Sequence, residues 1–343
     1  MTPQHSVRFL PYDRVIRCAE HCAVLEAARL EGLNLPHSCR SGHCGSCRAL
    51  LRRGEVSVPA GQQLGLSAQE KAQGYVLLCQ ARPRSDLIVE ISLVSDQAQV
   101  EIKSLPCRVI GLSPLAPDVM RVLLRLPAVE PLVFRAGQYL DVLLEEGRRR
   151  SFSIASRAGE AQELELHVRR VAGGLFSERL FGSLAAGALL RIEAPLGRFI
   201  YEEGPAGPPV LFIAGGTGFA PIKSMLLQAL ADGGTRPLYL YWGARTAPDV
   251  YEEQWVRELM RQHPRLAFQA VLSQGPAQPG YRSGWVHEAV LADFPDLTGL
   301  PVYAAGPPQM IAAIRGSFEA RGAGAAQLHF DSFDYATDVA VRD

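Results

Sequence analysis

The apolar period of this chain changes twice along its length. In the first hundred residues, Val24, Leu25 and Ala28 share one face of a helix over residues 23–30, and Gly32 suits its C-terminal end. Leu77–Cys79 and Leu87–Ile91 are short apolar runs that predict strands. From about residue 101 the period becomes two. Met120, Val122, Leu124 and Leu126 alternate with Arg121, Leu123 and Arg125, and Gln138–Leu144 and Leu164–Val168 behave alike. Pro and Gly punctuate the intervals, and such closely spaced strands suit a small barrel. Past residue 208 strands alternate with helices. Val210–Ala214 is a fully apolar strand, followed by a glycine loop and a helix through about Ala231. Leu238–Tyr241, Phe268–Leu272 and Val302–Ala305 repeat the strand, which predicts βαβ units and a parallel sheet.

Three domains are therefore expected: 1–96, mixed α+β; 101–203, an antiparallel β-barrel; and 208–343, α/β with a parallel sheet. The string from Glu202 to Pro209 reads as the last linker. At 343 residues the chain is long enough for several cores, and 48% apolar with 20% charged residues is ordinary globular composition. A formal net charge of zero calls for neither a nucleic-acid nor a membrane partner. The first twelve residues hold no apolar core of a signal peptide. The long uncharged stretch Gly204–Ile222 is broken by Pro205, Pro208, Pro209 and several glycines, so it is not expected to cross a membrane. A monomer in the cytoplasm is expected.

Cysteine usage changes the picture. Seven are present, an odd number in a large chain, which favours metal or redox use over a disulfide framework. Cys39-x4-Cys44-x2-Cys47, with Cys79 after a further 31 residues, has the spacing of plant-type [2Fe–2S] ligands. Three thiolates converging from one tight loop need permissive backbone, which Gly42 and Gly45 supply. Ser38, Ser41 and Ser46 are small enough to leave backbone N–H groups free to face sulfur. A structural zinc site is the rival, but zinc loops usually pair two close cysteine knuckles, and Cys79 stands alone. Cys18, Cys22 and Cys107 fall outside the pattern and read as small buried apolar residues, and His43 as a surface residue.

Two further motifs carry chemistry. In Arg148-Arg149-Arg150-Ser151-Phe152-Ser153, a cation at a strand edge can bind pyrophosphate, Phe152 can lie against a flavin ring and Ser153 can hydrogen-bond a ring nitrogen. About twenty residues on, Gly173-Gly174 opens a helix, a favourable place for an anion. Ala214-Gly215-Gly216-Thr217-Gly218-Phe219-Ala220-Pro221 joins a strand to a helix, where glycines let a dinucleotide phosphate approach the backbone; a third glycine of the usual fingerprint is replaced by Ala220-Pro221.

In that order the motifs resemble the ferredoxin–NAD(P)H reductase superfamily with an N-terminal plant-type [2Fe–2S] domain. The strings Arg150-Ser151-Phe152-Ser153-Ile154-Ala155, His167-Val168-Arg169-Arg170-Val171 and Tyr241-Trp242-Gly243-Ala244-Arg245 are similar to those of CDP-6-deoxy-Δ3,4-glucoseen reductase-like proteins, and oxygenase reductase components share the order. The resemblance covers nearly the whole chain and implies a β-grasp ferredoxin domain, an FAD barrel and an NAD(P) domain. It implies that Arg150, Phe152 and Ser153 hold the flavin, with His167, Val168, Arg169, Gly174 and Ser177 along its ring and pyrophosphate. Gly216, Thr217, Gly218 and Pro221 would bind NADH or NADPH, with Gly243, Arg245, Ser273, Gly306 and Pro307 around it. Phe333 would cover the flavin, with Phe330 or Tyr335 as substitutes. Ala305-Gly306-Pro307-Pro308 stands where relatives commonly carry Cys-Gly-x-Pro, which puts hydride-transfer efficiency in question. Arg245 and Arg282 are candidate clamps for a 2′-phosphate.

The expected activity is electron transfer from NAD(P)H through FAD and the cluster to a protein acceptor, a sugar dehydratase or an oxygenase component. No acid–base catalytic residue is expected, because the protein's part is positioning. Histidines and carboxylates are expected at the surface or in packing roles. The first 96 residues carry 11 Lys/Arg and 9 Asp/Glu, no acidic bias of the kind that steers a separate ferredoxin. A non-catalytic redox sensor and a free flavin or ferric reductase are the rival functions.

Overall fold

In a computed structural model that describes residues 3–11, 13–33, 35–59, 65–91, 102–145, 148–202, 204–275 and 277–333, the chain divides into two units, residues 1–99 and 100–343. The first contains β1 (Gln4–Leu10), β2 (Arg14–Ala19), α1 (Val24–Leu30), β3 (Arg48–Arg53), β4 (Val56–Ser57), α2 (Ala68–Ala72), β5 (Tyr75–Leu77), β6 (Arg82–Pro83) and β7 (Leu87–Glu90). Its main sheet runs β2-β1-β7-β3-β5, with β1 and β7 parallel and the other neighbours antiparallel. The apolar face of α1 (Val24, Leu25, Ala27, Ala28) is buried in one cluster with Val7, Phe9, Ile16 and Val89 of the sheet. This sheet grasping one helix is the expected β-grasp. One detail differs from the sequence reading: β5 stops at Leu77, and Cys79 sits in the tight turn that follows, closed by Gln80 N donating to Leu77 O at 2.9 Å.

The second unit begins with β8 (Lys103–Ala116), β9 (Val119–Arg125), β10 (Leu132–Phe134), β11 (Tyr139–Leu143), β12 (Arg149–Ser153), β13 (Gly159–Ala161), β14 (Glu163–Arg169), α3 (Leu175–Gly182) and β15 (Leu189–Leu196). Six of these strands form an antiparallel sheet in the order β12-β11-β15-β8-β9-β14. A bridge between Ile154 and Leu166 joins its two edges and closes the barrel. The period of two holds: Val122 and Leu124 of β9 and Leu164, Leu166 and Val168 of β14 are fully buried inside.

The chain continues as β16 (Val210–Gly215), α4 (Phe219–Ala231), β17 (Leu238–Ala244), α5 (Glu253–Gln262), β18 (Leu266–Leu272), β19 (Tyr281–Ser283), α6 (Val286–Asp293), β20 (Val302–Gly306), α7 (Pro308–Glu319) and β21 (Leu328–Ser332). All neighbours are parallel in the order β19-β18-β17-β16-β20-β21. The edge strands β19 and β21 are additions to the four expected; both are short and partly polar, so they show no run of apolar residues. Helix α4 is anchored at its start, where Phe219 stacks on fully buried Trp242 with ring centroids 3.9 Å apart.

The barrel meets the parallel sheet through charge. Lys223 of α4 lies 2.9 Å from Glu165 Oε1 of β14 and 3.3 Å from Glu252 Oε2. Arg121 of β9 pairs with the same two carboxylates. His167 Nε2 is 2.7 Å from Glu165 Oε1, and its Nδ1 is 3.1 Å from the Tyr251 hydroxyl. A carboxylate only accepts, so Nε2–H donates to Glu165 and Nδ1 accepts from Tyr251. Burial lowers the His167 pKa and keeps it neutral. Lys223 and Glu252 are 6% and 2% exposed, so the pairs gain from a low dielectric, and each partner is costly to orphan. Of the two roles expected for carboxylates, surface and packing, Glu165 and Glu252 take the second, with partners supplied from far along the chain. Among the described residues, Glu165, His167 and Glu252 are the one group with metal-ligand spacing, yet Lys223 and Arg121 already stand where a cation would be.

Burial would raise the Glu165 pKa, but the His167 hydrogen bond and Lys223 hold it at about 2, below its ordinary 4.5. Its contribution to stability is full above pH 4.5 and is lost as pH falls towards 2. Lys223→Met is expected to cost about 3 kcal/mol and to shift the onset of acid unfolding to higher pH. Tryptophan fluorescence against denaturant and against pH checks both, and an unchanged acid profile would count against the network.

Candidate cofactor sites

The cysteine loop lies between α1 and β3. Gly42 and Gly45 have φ of +85° and +84°, conformations that side-chain-bearing residues rarely adopt. The turns they allow aim backbone donors at sulfur. Cys39 N donates to Cys44 Sγ at 3.4 Å, Cys44 N to Cys39 Sγ at 3.3 Å, and Ser46 N to Cys44 Sγ at 3.5 Å. The turn carrying Cys79 is tied to the loop by Leu78 N donating to Cys47 O at 3.1 Å. Cys47 and Cys79 are hydrogen-bonded to each other, and that bond with burial pushes the Cys47 thiol well up. Cys39 is held down by hydrogen bonds from the Cys44 thiol and the Ser41 hydroxyl, which outweigh its burial.

The four sulfurs thus come as two pairs, Cys39 with Cys44 and Cys47 with Cys79. A single zinc would need all four about 3.8 Å apart, given Zn–S bonds near 2.3 Å. Among the described residues no set of three or more cysteines has its sulfurs within 4.8 Å of one another. Two pairs separated in this way fit two irons, each with two thiolates, and do not fit mononuclear zinc. Outside the loop, burial pushes Cys18 and Cys107 up to about 12, as expected of inert buried thiols, while Cys22 is half-buried. His43 is half-buried, with Nδ1 3.0 Å from Ser41 Oγ.

On the barrel, Arg150, Phe152 and Ser153 occupy β12. Arg150 is half-buried, and burial with neighbouring Arg148 lowers its pKa, a locally electropositive place that suits an anion. Phe152 lies 5.2 Å from Phe176 of α3. Among the described residues the buried Ser153 hydroxyl has no hydrogen-bond partner, which leaves it open to a ligand. Gly174 is the N-cap of α3 and offers no side-chain cap, and the start of a helix favours an anion. Ser177 is used internally: its hydroxyl accepts from Val171 N at 3.1 Å and lies within hydrogen-bond reach of the Val171 and Gly174 carbonyls, which fixes the turn. The side chains of His167 and Val168 are committed to the charged seam and the barrel core, leaving only their backbone to a ligand.

Beside the parallel sheet opens a cleft of about 770 Å³. Of the residues expected there, Gly216, Thr217, Gly243, Arg245, Ser273, Pro307 and Phe333 line it, and Arg169 joins them from the barrel, held by Asp118 at 2.7 Å. Gly218, Pro221 and Gly306 stand behind the wall. A Cβ on Gly218 would lie 2.0 Å from Ala305 O, so only glycine lets the loop sit on β20. Ala305 itself is fully buried in the core and does not line the cleft among the described residues. Phe333 is pinned by its N–H to Gly306 O at 3.1 Å. Phe330 is buried under Arg315 and cannot take its place without leaving the core, and Tyr335 lies outside the described residues. Arg282 is engaged by Asp293 at 2.8 Å, whereas Arg245 is exposed at the cleft. Sequence reasoning missed Asp249, Trp285 and Met310 in the lining; they belong to no motif, and no local sequence signal marks them.

Residues 8–84 match the 2Fe-2S iron-sulfur cluster binding domain family, 106–201 the oxidoreductase FAD-binding domain and 212–316 the oxidoreductase NAD-binding domain. The chain is 35% identical over 310 residues to the CDP-6-deoxy-L-threo-D-glycero-4-hexulose-3-dehydrase reductase of Yersinia pestis, covering 90% of this chain and 92% of that one. It is 37% identical over 329 residues to the aromatic O-demethylase reductase subunit of an Amycolatopsis strain, covering 94% and 97%. The crystal structure of an Amycolatopsis cytochrome P450 reductase superposes with a TM-score of 0.76 at 36% identity, covering 96% of this chain and 98% of that one. Among the described residues no helix is long and apolar enough to cross a membrane. With three successive domain families and near full-length relatives on the same pattern, the chain belongs to the ferredoxin–NAD(P)H reductase superfamily with an N-terminal plant-type [2Fe–2S] domain, NAD(P)H-dependent oxidoreductases that use FAD and a two-iron cluster.

Proposed function

We propose that this chain, a cytoplasmic monomer, draws reducing equivalents from NADH in the cleft and passes them singly to a separate protein. When bound, FAD supplies the conversion of a hydride pair into single electrons, and the two-iron cluster carries them one at a time. The chain's own residues hold and orient. Cys39, Cys44, Cys47 and Cys79 ligate the irons. Arg150 and the first turn of α3 meet the FAD pyrophosphate, Phe152 lies along the ring, and the orphan Ser153 hydroxyl bonds its polar edge. Gly216 and Thr217 cradle the dinucleotide phosphates, and Phe333 packs where nicotinamide must enter. The observation that supports this reading best is the cleft itself, where Arg169 of the barrel and the Gly216 loop of the parallel sheet face one space. Arg282 is held by Asp293, whereas Arg245 stands in the same lining as the Asp249 carboxylate, so a 2′-phosphate has one cation to meet and NADPH stands beside NADH as donor. Seven cysteines without a disulfide fit a reducing compartment.

The relative that serves a hexulose dehydrase supports a sugar-deoxygenating dehydratase as acceptor. An oxygenase is the second reading, carried by the Amycolatopsis demethylase and P450 reductases at 37% and 36% identity. Purified holoprotein with NADH is expected to reduce one of the two acceptor classes and, nonspecifically, cytochrome c. A chain with both chromophores that reduces neither would be a sensor and not a reductase.

Cys44→Ser is expected to lose the cluster absorption yet keep NADH-to-ferricyanide activity through FAD. A normal cluster spectrum in that variant would contradict the ligand set. Ser153→Ala is expected to weaken FAD retention roughly tenfold, the worth of one buried hydrogen bond; equilibrium dialysis against free FAD measures it, and unchanged retention would release Ser153 from the flavin.

A further inference from the structure

Gln80 follows the fourth cysteine directly and belongs to no motif that the sequence singles out. It is 9% exposed, and its side-chain nitrogen makes two contacts. Nε2 lies 3.2 Å from Arg40 O and 3.6 Å from Cys79 Sγ. The amide orientation follows from chemistry: Arg40 O can only accept, so nitrogen and not oxygen must face it, and the second N–H is left for the sulfur. Arg40 has a left-handed backbone, φ +56°, inside the cysteine loop. Gln80 therefore binds the carbonyl of the strained residue next to Cys39 and the sulfur of Cys79 with one NH₂ group. It links the loop that carries three cysteines to the turn that carries the fourth.

Two of the other cysteine sulfurs, Cys39 and Cys44, draw their donors from close by in the loop, and Cys47 is served by the backbone of Cys79. Backbone N–H groups serve Cys39 and Cys44, and the Ser41 hydroxyl also serves Cys39. The donor to Cys79 is an amide side chain, which a substitution can remove without touching the backbone.

We infer that Gln80 is a positioning residue that sets the reduction potential of the two-iron cluster through an N–H···S hydrogen bond to Cys79. The inference rests on the reading of Cys39, Cys44, Cys47 and Cys79 as ligands. A donor at a ligand sulfur stabilises the state with more negative charge, the reduced one, and raises the potential. Gln80 thereby makes the cluster a better electron acceptor within this chain, and its contact with Arg40 keeps the donor aimed.

Redox titration of the holoprotein followed by EPR tests this. Gln80→Leu is expected to lower the cluster midpoint by the equivalent of a tenfold change in the one-electron equilibrium, which is about 59 mV, with the flavin midpoint unmoved. An unchanged cluster midpoint overturns the inference. In wild-type protein with glutamine carrying ¹⁵N only in the side-chain amide, pulsed EPR is expected to detect nitrogen coupled to the reduced cluster. Absence of that coupling overturns the inference, and its presence supports it even if the Leu variant assembles no cluster. Wild-type protein that shows no two-iron spectrum at all contradicts the ligand set instead.

Discussion

Two carboxylates and two cations leave water together at the seam between the barrel and the parallel sheet, and the cleft depends on where they settle. Glu165 comes from the barrel strand that also carries Arg169, and Lys223 from the helix that follows the glycine loop. Each charge is tolerable there only because its partners are present, so the arrangement has one low-energy register. His167 extends it as a neutral link between Glu165 and Tyr251. The seam thus fixes the glycine loop relative to Arg169 without placing a charge in the cleft. Aromatic packing completes the anchor, since Phe219 stacks on Trp242 one residue beyond the loop.

The first unit solves a different problem with smaller means. Four sulfurs must be held in two pairs, and backbone amides must face them. Glycines at positive φ bend the loop, one strained arginine remains in it, and the turn after β5 brings the last cysteine. The pairing of sulfurs is more informative than their number, because it separates a two-iron site from a zinc site that the same four residue types could build.

Much of this was legible in the sequence, for a physical reason in each case. Ligand chemistry forces three cysteines into one short loop, so Cys39, Cys44 and Cys47 announce themselves. Burial on both faces makes Val210–Ala214 a continuous apolar strand, and alternation marks β9 and β14 because one face of each is inside the barrel. What was hidden depends on residues distant in sequence. Lys223 meets Glu165 across 58 positions, and Gln80 meets Arg40 across 40, and nothing local marks either pair. Ser177 was hidden for a different reason: the motif presents a ligand-facing hydroxyl, and the fold uses it locally to tie its own turn.

Electron flow within this one chain is the central claim, and an anaerobic titration of the holoprotein with NADH, followed by absorption and EPR together, tests it most directly. Substoichiometric NADH is expected to bleach the flavin and to raise the EPR spectrum of a reduced two-iron cluster in the same sample, with no added mediator. Flavin bleaching with a cluster that stays oxidised, although dithionite can reduce it, would contradict the account.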